Sequence, residues 1–215
     1  MIKALTLLLA LSGTLNGAFA QDVKEGEKKA AMCIGCHGIV GYQASFPEVY
    51  RVPMISGQGA KFIVASLTAY KKGERKHPSM RGIAGSLTDV DMADLAAYYE
   101  QSGKGSVVVV ADTPVVKPSA EVDALLTKGA CASCHGANYS KPIDASYPKL
   151  AGQHADYLFF ALKAYQTEGK TQHGRSNAIM TGQVKQFKQT ELKQIAGYLA
   201  SLPTELKTVP QAKFR

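Results

Sequence analysis

Apolar residues recur at helical spacing in three segments of the first half of the chain and in three matching segments of the second. Ala60 to Lys72 spaces Phe62, Ile63, Leu67 and Tyr70 as an amphipathic helix does. Thr88 with Asp91 three residues on is a capping-box variant, and it leads into Met92, Leu95, Ala96 and Tyr99. Val23 to Cys33, rich in Lys, Glu and Ala, predicts a helix ending in the first cysteine pair. Ala120 to Cys131, Ala155 to Gln166 and Thr190 to Leu202 repeat the set. Two-residue alternation is nearly absent, so the expected fold class is all-α. The run Val107 to Val110 could form a short strand but has no obvious partner.

The repetition extends beyond patterning. Cys33-Ile34-Gly35-Cys36-His37-Gly38 returns 98 residues later as Cys131-Ala132-Ser133-Cys134-His135-Gly136. Pro53-Met54-Ile55-Ser56-Gly57-Gln58 returns as Pro148-Lys149-Leu150-Ala151-Gly152-Gln153, 95 later. Leu67-Thr68-Ala69-Tyr70 answers Leu162-Lys163-Ala164-Tyr165 at the same offset. Met80-Arg81-Gly82 answers Met180-Thr181-Gly182 and Leu95-Ala96-Ala97-Tyr98 answers Ile195-Ala196-Gly197-Tyr198, both 100 later. Five blocks in one order indicate a tandem duplication of a unit of about 80 residues. Drifting offsets mark insertions and deletions in loops. The expected domains are 21–101 and 120–202. Between them lies a linker, 102–119, whose Gly, Ser, Pro114 and Pro118 disfavour helix. Residues 203–215 are expected to be a flexible tail.

Composition narrows the class. Of 215 residues, 46% are hydrophobic and 20% charged, enough apolar content to bury a core. No apolar run reaches the roughly 20 residues needed to cross a bilayer. Lys3, the apolar stretch Ala4 to Leu11 and the A-x-A ending Ala18-Phe19-Ala20 form a secretory signal pattern over residues 1–20. The mature chain would begin at Gln21, outside the cytoplasm, most simply in a bacterial periplasm. Units this small bury little surface by themselves and need a staple or a large apolar ligand.

The cysteines supply the candidate ligand. C-x-x-C-H is the attachment signature of c-type haem. Two thiols three residues apart lie on one side of a helical turn and can each form a thioether with one porphyrin, while the adjoining His reaches the iron from that side. Cys33, Cys36 and His37 would hold one haem, and Cys131, Cys134 and His135 a second. A structural zinc site would instead want its cysteine pairs 15 to 20 residues apart, whereas Cys36 and Cys131 belong to separate repeats. A thioredoxin-like pair would want a βαβ context.

The other side of each iron follows by elimination. All four Cys are consumed by attachment, and the second unit contains a single Met, Met180, which the repeat aligns with Met80. Met54 aligns with Lys149 and Met92 with Leu192, so neither recurs as a ligand should. The rivals are His77, His154 and His173. His154 aligns with Gly59, and the other two lie at unlike distances from their Met residues, as exposed loop positions would. Met80 and Met180 are therefore the favoured metal ligands. A His/Met pair raises the potential of the iron and fills its coordination sphere, which suits electron transfer rather than catalysis.

The pattern as a whole resembles the cytochrome c4 family. The resemblance rests on the two C-x-x-C-H-G blocks, the two P-x-[IL]-[AS]-G-Q blocks, the two Met blocks and the terminal segments bearing Tyr98 and Tyr198. It implies two tandem class I cytochrome c domains, each wrapped around one covalently bound haem c and its iron. It further implies that Pro53 and Pro148 supply carbonyls that hold His37 and His135. The first unit carries a longer stretch here, Ser45 to Pro53 against Ser146-Tyr147-Pro148, which leaves Pro47 as a competitor to Pro53. The Lys-, Arg- and His-rich approach to Met80 suggests a more exposed, or differently docked, first haem edge.

By this resemblance the protein would be a periplasmic electron carrier, soluble or loosely membrane-associated, and not an enzyme. It would pass electrons from a quinol-oxidising complex or dehydrogenase to a terminal oxidase or reductase. The alternative is the electron-transfer subunit of a periplasmic dehydrogenase, akin to flavocytochrome sulfide dehydrogenase or a thiosulfate dehydrogenase partner. A haem enzyme would need an open iron or a spare Cys. The net charge is +8, with +2 over residues 21–105 and +5 over 106–215. The basic second half could steer an acidic redox protein. Neither nucleic acid nor a small-molecule substrate is expected.

Overall fold

The computed structural model describes residues 21–102, 104–105, 110–167 and 172–210. Residues 1–20, expected to be an export signal, most of the Val107 to Val110 run and residues 211–215 lie outside them. Each half is helical. The first contains α1 (Val23–Lys29), α2 (Ala31–His37), β1 (Gln43–Ala44), β2 (Tyr50–Arg51), α3 (Ala60–Lys72), α4 (Pro78–Gly85) and α5 (Asp89–Ser102). The second contains α6 (Ala120–Lys128), α7 (Cys131–His135), α8 (Ala155–Gln166), α9 (Ala178–Val184) and α10 (Gln189–Ser201). None of the described helices is long and apolar enough to cross a membrane.

The helix expected over Val23 to Cys33 is divided. Ala30 closes α1, and α2 then carries both cysteines through to His37. In the second half the break is sharper, because Ala130 takes a left-handed φ of 45°. These breaks let the Cys-His segment turn away from the helix that precedes it. The Thr88–Asp91 box is present: Asp91 N donates to Thr88 Oγ1 at 3.1 Å, and Thr88 N donates to Asp91 Oδ2 at 2.9 Å.

Each half has its own core. Ile63, Leu87, Met92, Leu95, Ala96 and Tyr99 pack together in the first, and Leu126, Leu158, Val184, Leu192, Ile195 and Leu199 in the second. In the first half α1 lies tightly against α5. Asp94 on α5 accepts from Asp22 N at 2.9 Å and from Lys29 Nζ at 2.7 Å, which holds its carboxyl below the usual range. A Cβ on Gly26 would lie 2.1 Å from the Asp94 carbonyl oxygen. Gly26→Ala is therefore expected to push the two helices apart and cost about 1–3 kcal/mol, read as a lower urea midpoint at unchanged slope.

Two expectations about the connections need correction. Residues 203–210 are not a loose tail. Leu206 is 3% exposed, Thr204 packs on Gly152, and Lys207 N donates to Ser56 O at 3.0 Å. The buried leucine and the backbone bond to the opposite half anchor this segment. The first unit's extra stretch is also more than a loop. It forms the antiparallel β1–β2 ribbon, in which Gln43 faces Arg51. The described part of the linker lies along the second half, where Ala111 O accepts from Asn138 Nδ2 and Val116 O from Tyr198 Oη.

The ribbon grips the second half. Tyr50 stacks on Phe160 of α8 with centroids 4.3 Å apart. Arg51 donates to Asp156 at 2.9 Å, and Lys163 pairs with Glu48. The repeat itself builds the rest of the contact. Gln58 Nε2 donates to Lys149 O at 3.0 Å and Gln153 Nε2 to Met54 O at 2.8 Å. Their Oε1 atoms accept from Lys149 N and Met54 N. Equivalent residues thus exchange equivalent bonds, as a two-fold axis requires.

Candidate functional site

One connected cavity of about 510 Å³ runs through both halves. Its walls are mainly aliphatic and aromatic, with Leu67, Ile83 and Leu95 from the first half and Leu150, Leu162 and Leu192 from the second. All four cysteines line it, with no disulfide between them. Among the described residues no group of three or more His, Cys, Asp or Glu could hold a metal ion, so the cysteine pairs do not assemble a zinc set.

The two histidines are held alike. His37 Nδ1 lies 2.9 Å from Pro53 O, and His135 Nδ1 lies 3.1 Å from Pro148 O. A carbonyl can only accept, so each Nδ1 carries the proton and each Nε2 keeps its lone pair. Burial pushes both imidazoles below their ordinary pKa, which keeps them neutral. Pro47 does not take this position. It follows a cis peptide bond after Phe46, ahead of β2.

Met80 and Met180 both line the cavity. They sit in the first turns of α4 and α9, whose capping residues are themselves equivalent. Met80 N donates to His77 Nδ1 at 3.4 Å, and Met180 N to Asn177 Oδ1 at 3.0 Å. His77 is thus a half-buried helix cap rather than an exposed loop residue, and its Nδ1 is engaged. His173 is also half-buried. Neither His154 nor His173 lines the cavity.

These residues suit a large apolar ring with two thiol-reactive edges. Thiols sit beside neutral imidazole lone pairs, thioether side chains share the same walls, and the buried Tyr99 hydroxyl that lines the cavity has no partner. Sequence reasoning missed Gln58, Gln153, Arg75 and Arg175, which join the halves. Their signal was present, because each pair recurs at the offsets of the blocks around it, 95 and 100 residues.

Comparison with known proteins agrees with this geometry. The cytochrome c family model matches residues 119–203. A cytochrome c4 of Azotobacter vinelandii is 32% identical over 94% of this chain and 100% of its own length. A thiosulfate dehydrogenase electron acceptor of Thiomonas intermedia is 26% identical over 92% of this chain and 90% of its own. The crystal structure of reduced recombinant cytochrome c4 from Pseudomonas stutzeri superposes with a TM-score of 0.60 at 27% identity, covering 85% of this chain and all of that one. Fold and site together define a c-type cytochrome with two class I domains. The chain belongs to the cytochrome c4 family, and it carries two covalently bound haem c groups.

Proposed function

We propose that the protein is a periplasmic two-haem electron carrier with no substrate chemistry of its own. Its domains would be 21–101 and 120–202, after export directed by residues 1–20. Cys33 and Cys36 hold one haem and Cys131 and Cys134 the other through thioether bonds. His37 and His135 are the proximal ligands, Met80 and Met180 the distal ones. Each haem supplies an iron that alternates between ferrous and ferric states. The protein's part is to keep that change cheap. The Pro53 and Pro148 carbonyls fix the imidazoles, the Met80 and Met180 side chains would favour the ferrous state, and the apolar walls exclude water.

The observation that carries this reading is the paired geometry: both histidines face proline carbonyls, and both methionines line one apolar cavity with them. The donor is a quinol-oxidising complex or dehydrogenase, and the acceptor a terminal oxidase or reductase. A second reading makes the chain the cytochrome partner of a periplasmic dehydrogenase. The likeness to a thiosulfate dehydrogenase electron acceptor favours it.

Stopped-flow mixing tests both. Oxidised holoprotein is expected to be reduced by a catalytic amount of thiosulfate dehydrogenase plus thiosulfate, and then reoxidised by membranes containing a cytochrome oxidase. If thiosulfate fails to reduce it, while holoprotein reduced with dithionite is still reoxidised by the membranes, the carrier reading stands with a quinol-side donor. Inertness in both steps, against quinol-oxidising membranes as well, overturns it.

A further inference from the structure

One buried hydroxyl of the first half has no partner. Tyr99 is 6% exposed, and among the described residues nothing hydrogen-bonds to its Oη. The ring projects from α5, meets the Tyr98 ring edge-on with centroids 5.0 Å apart, and lines the cavity. Its backbone is pinned, because Tyr99 O accepts from Gly57 N at 2.8 Å and from Ser102 Oγ at 3.1 Å. An unpaired buried hydroxyl costs free energy, so its partner has to come with whatever fills the cavity.

Cys33 packs against the same core cluster and lines the same cavity. The two groups act on each other. Burial, with the Cys33 thiol adding to it, pushes the Tyr99 phenol far above its ordinary pKa, and the Tyr99 hydroxyl opposes the rise that burial imposes on the thiol. The phenol therefore keeps its proton. A cysteine sulfur joined to a porphyrin has no proton to give and can only accept. The orphaned donor and this acceptor suit each other.

The second half lacks the arrangement. Gly152 N donates to Leu199 O at 2.8 Å, the same bond that Gly57 makes to Tyr99. Leu199 is thus the equivalent of Tyr99 in space as well as in the repeat. It lines the cavity but offers no proton. Tyr139 acts on Cys131 from its loop, yet it does not line the cavity.

We propose that the Tyr99 hydroxyl donates a hydrogen bond to the sulfur through which Cys33 holds the first haem, and that this bond raises the potential of that haem alone. The proposal rests on the reading that Cys33 carries a haem. A donor on the sulfur draws electron density from the ring's substituent and places the positive end of a dipole beside the ring. Both disfavour the ferric state, as hydrogen bonds around a haem do. The duplicated halves would then differ in potential through one oxygen atom.

Tyr99→Phe removes that oxygen and keeps the ring. Spectroelectrochemical titration of the holoprotein is expected to show the first haem's reduction equilibrium moved toward ferric by about threefold, the order of one such bond's net worth, with the second haem unchanged. Nuclear magnetic resonance contacts between haem methyl protons and Leu95 identify the first haem. Resonance Raman spectra supply a readout that packing alone would not move. A thioether C–S mode of the unaltered protein is expected to shift in heavy water, and this shift is expected to vanish in Tyr99→Phe. Haem content and the absorbance band of methionine-ligated ferric haem are measured in both proteins. If the unaltered protein lacks two haems, the underlying reading fails. With both haems present, three results overturn the proposal: potentials that do not move, a change in the second haem, or a C–S mode of the unaltered protein that ignores heavy water, which would give the hydroxyl to a trapped water instead.

Discussion

Met180→Ala, purified with both haems and fully reduced, is expected to bind carbon monoxide at one haem, while the unaltered protein keeps its visible spectrum. Met180 is the single methionine of the second half, and it packs against that half's core from the first turn of α9. Alanine cannot reach an iron, and no other soft side chain of the second half lines the cavity except the two attachment cysteines. The nearest substitute by type, His173, does not line the cavity. The altered haem is also expected to lose the potential that a thioether confers, by at least tenfold in its reduction equilibrium, about 59 mV. Met80→Ala differs, because the first half keeps His77 and Met54 in the cavity lining as replacement ligands. Carbon monoxide binding by the unaltered protein would mean an open iron and would bring a catalytic role forward.

The paired substitution Cys131→Ala with Cys134→Ala is expected to reduce haem content to one per chain and to unfold the second half. Cys131 packs directly against the core built from Leu125, Leu126, Val184 and Leu192. That core faces the cavity, and without a covalent haem its walls would enclose unfilled space or collapse. The expected loss is at least about 5 kcal/mol, the lower end of an ordinary domain's stability. Circular dichroism melts should show the second half's helix missing at temperatures where the unaltered protein is fully folded. Haem staining on a denaturing gel counts the covalent groups. Full helicity with one haem would show that the second half folds without its ligand.

Much of the site was legible along the chain because its chemistry is local. The Cys-x-x-Cys-His motif is five consecutive residues, and Met80 and Met180 were singled out because a duplication compares a chain with itself. The helices followed from apolar period, and the Thr88–Asp91 cap from a three-residue spacing. Pro53 could not be separated from Pro47, because the insertion between the repeats destroys the register there. The interval between His37 and its carbonyl depends on how the β1–β2 ribbon folds, not on sequence distance.

The sequence by itself determined the helical class and the attachment residues, since these are patterns of spacings shorter than one element, and the duplication, since it needs only a comparison of the chain with itself. Only the tertiary structure decided how the halves meet. Gln58 and Lys149 are 91 residues apart, Gln153 and Met54 are 99, and Arg51 and Asp156 are 105. The same holds for the last turn of chain, where a buried Leu206 and a backbone bond to Ser56 make an anchor of a segment that reads as polar and loose. Recurrence marks Gln58 and Gln153 as equivalent positions but does not name the atoms they meet, because a hydrogen bond between distant residues is set by the path of the chain between them.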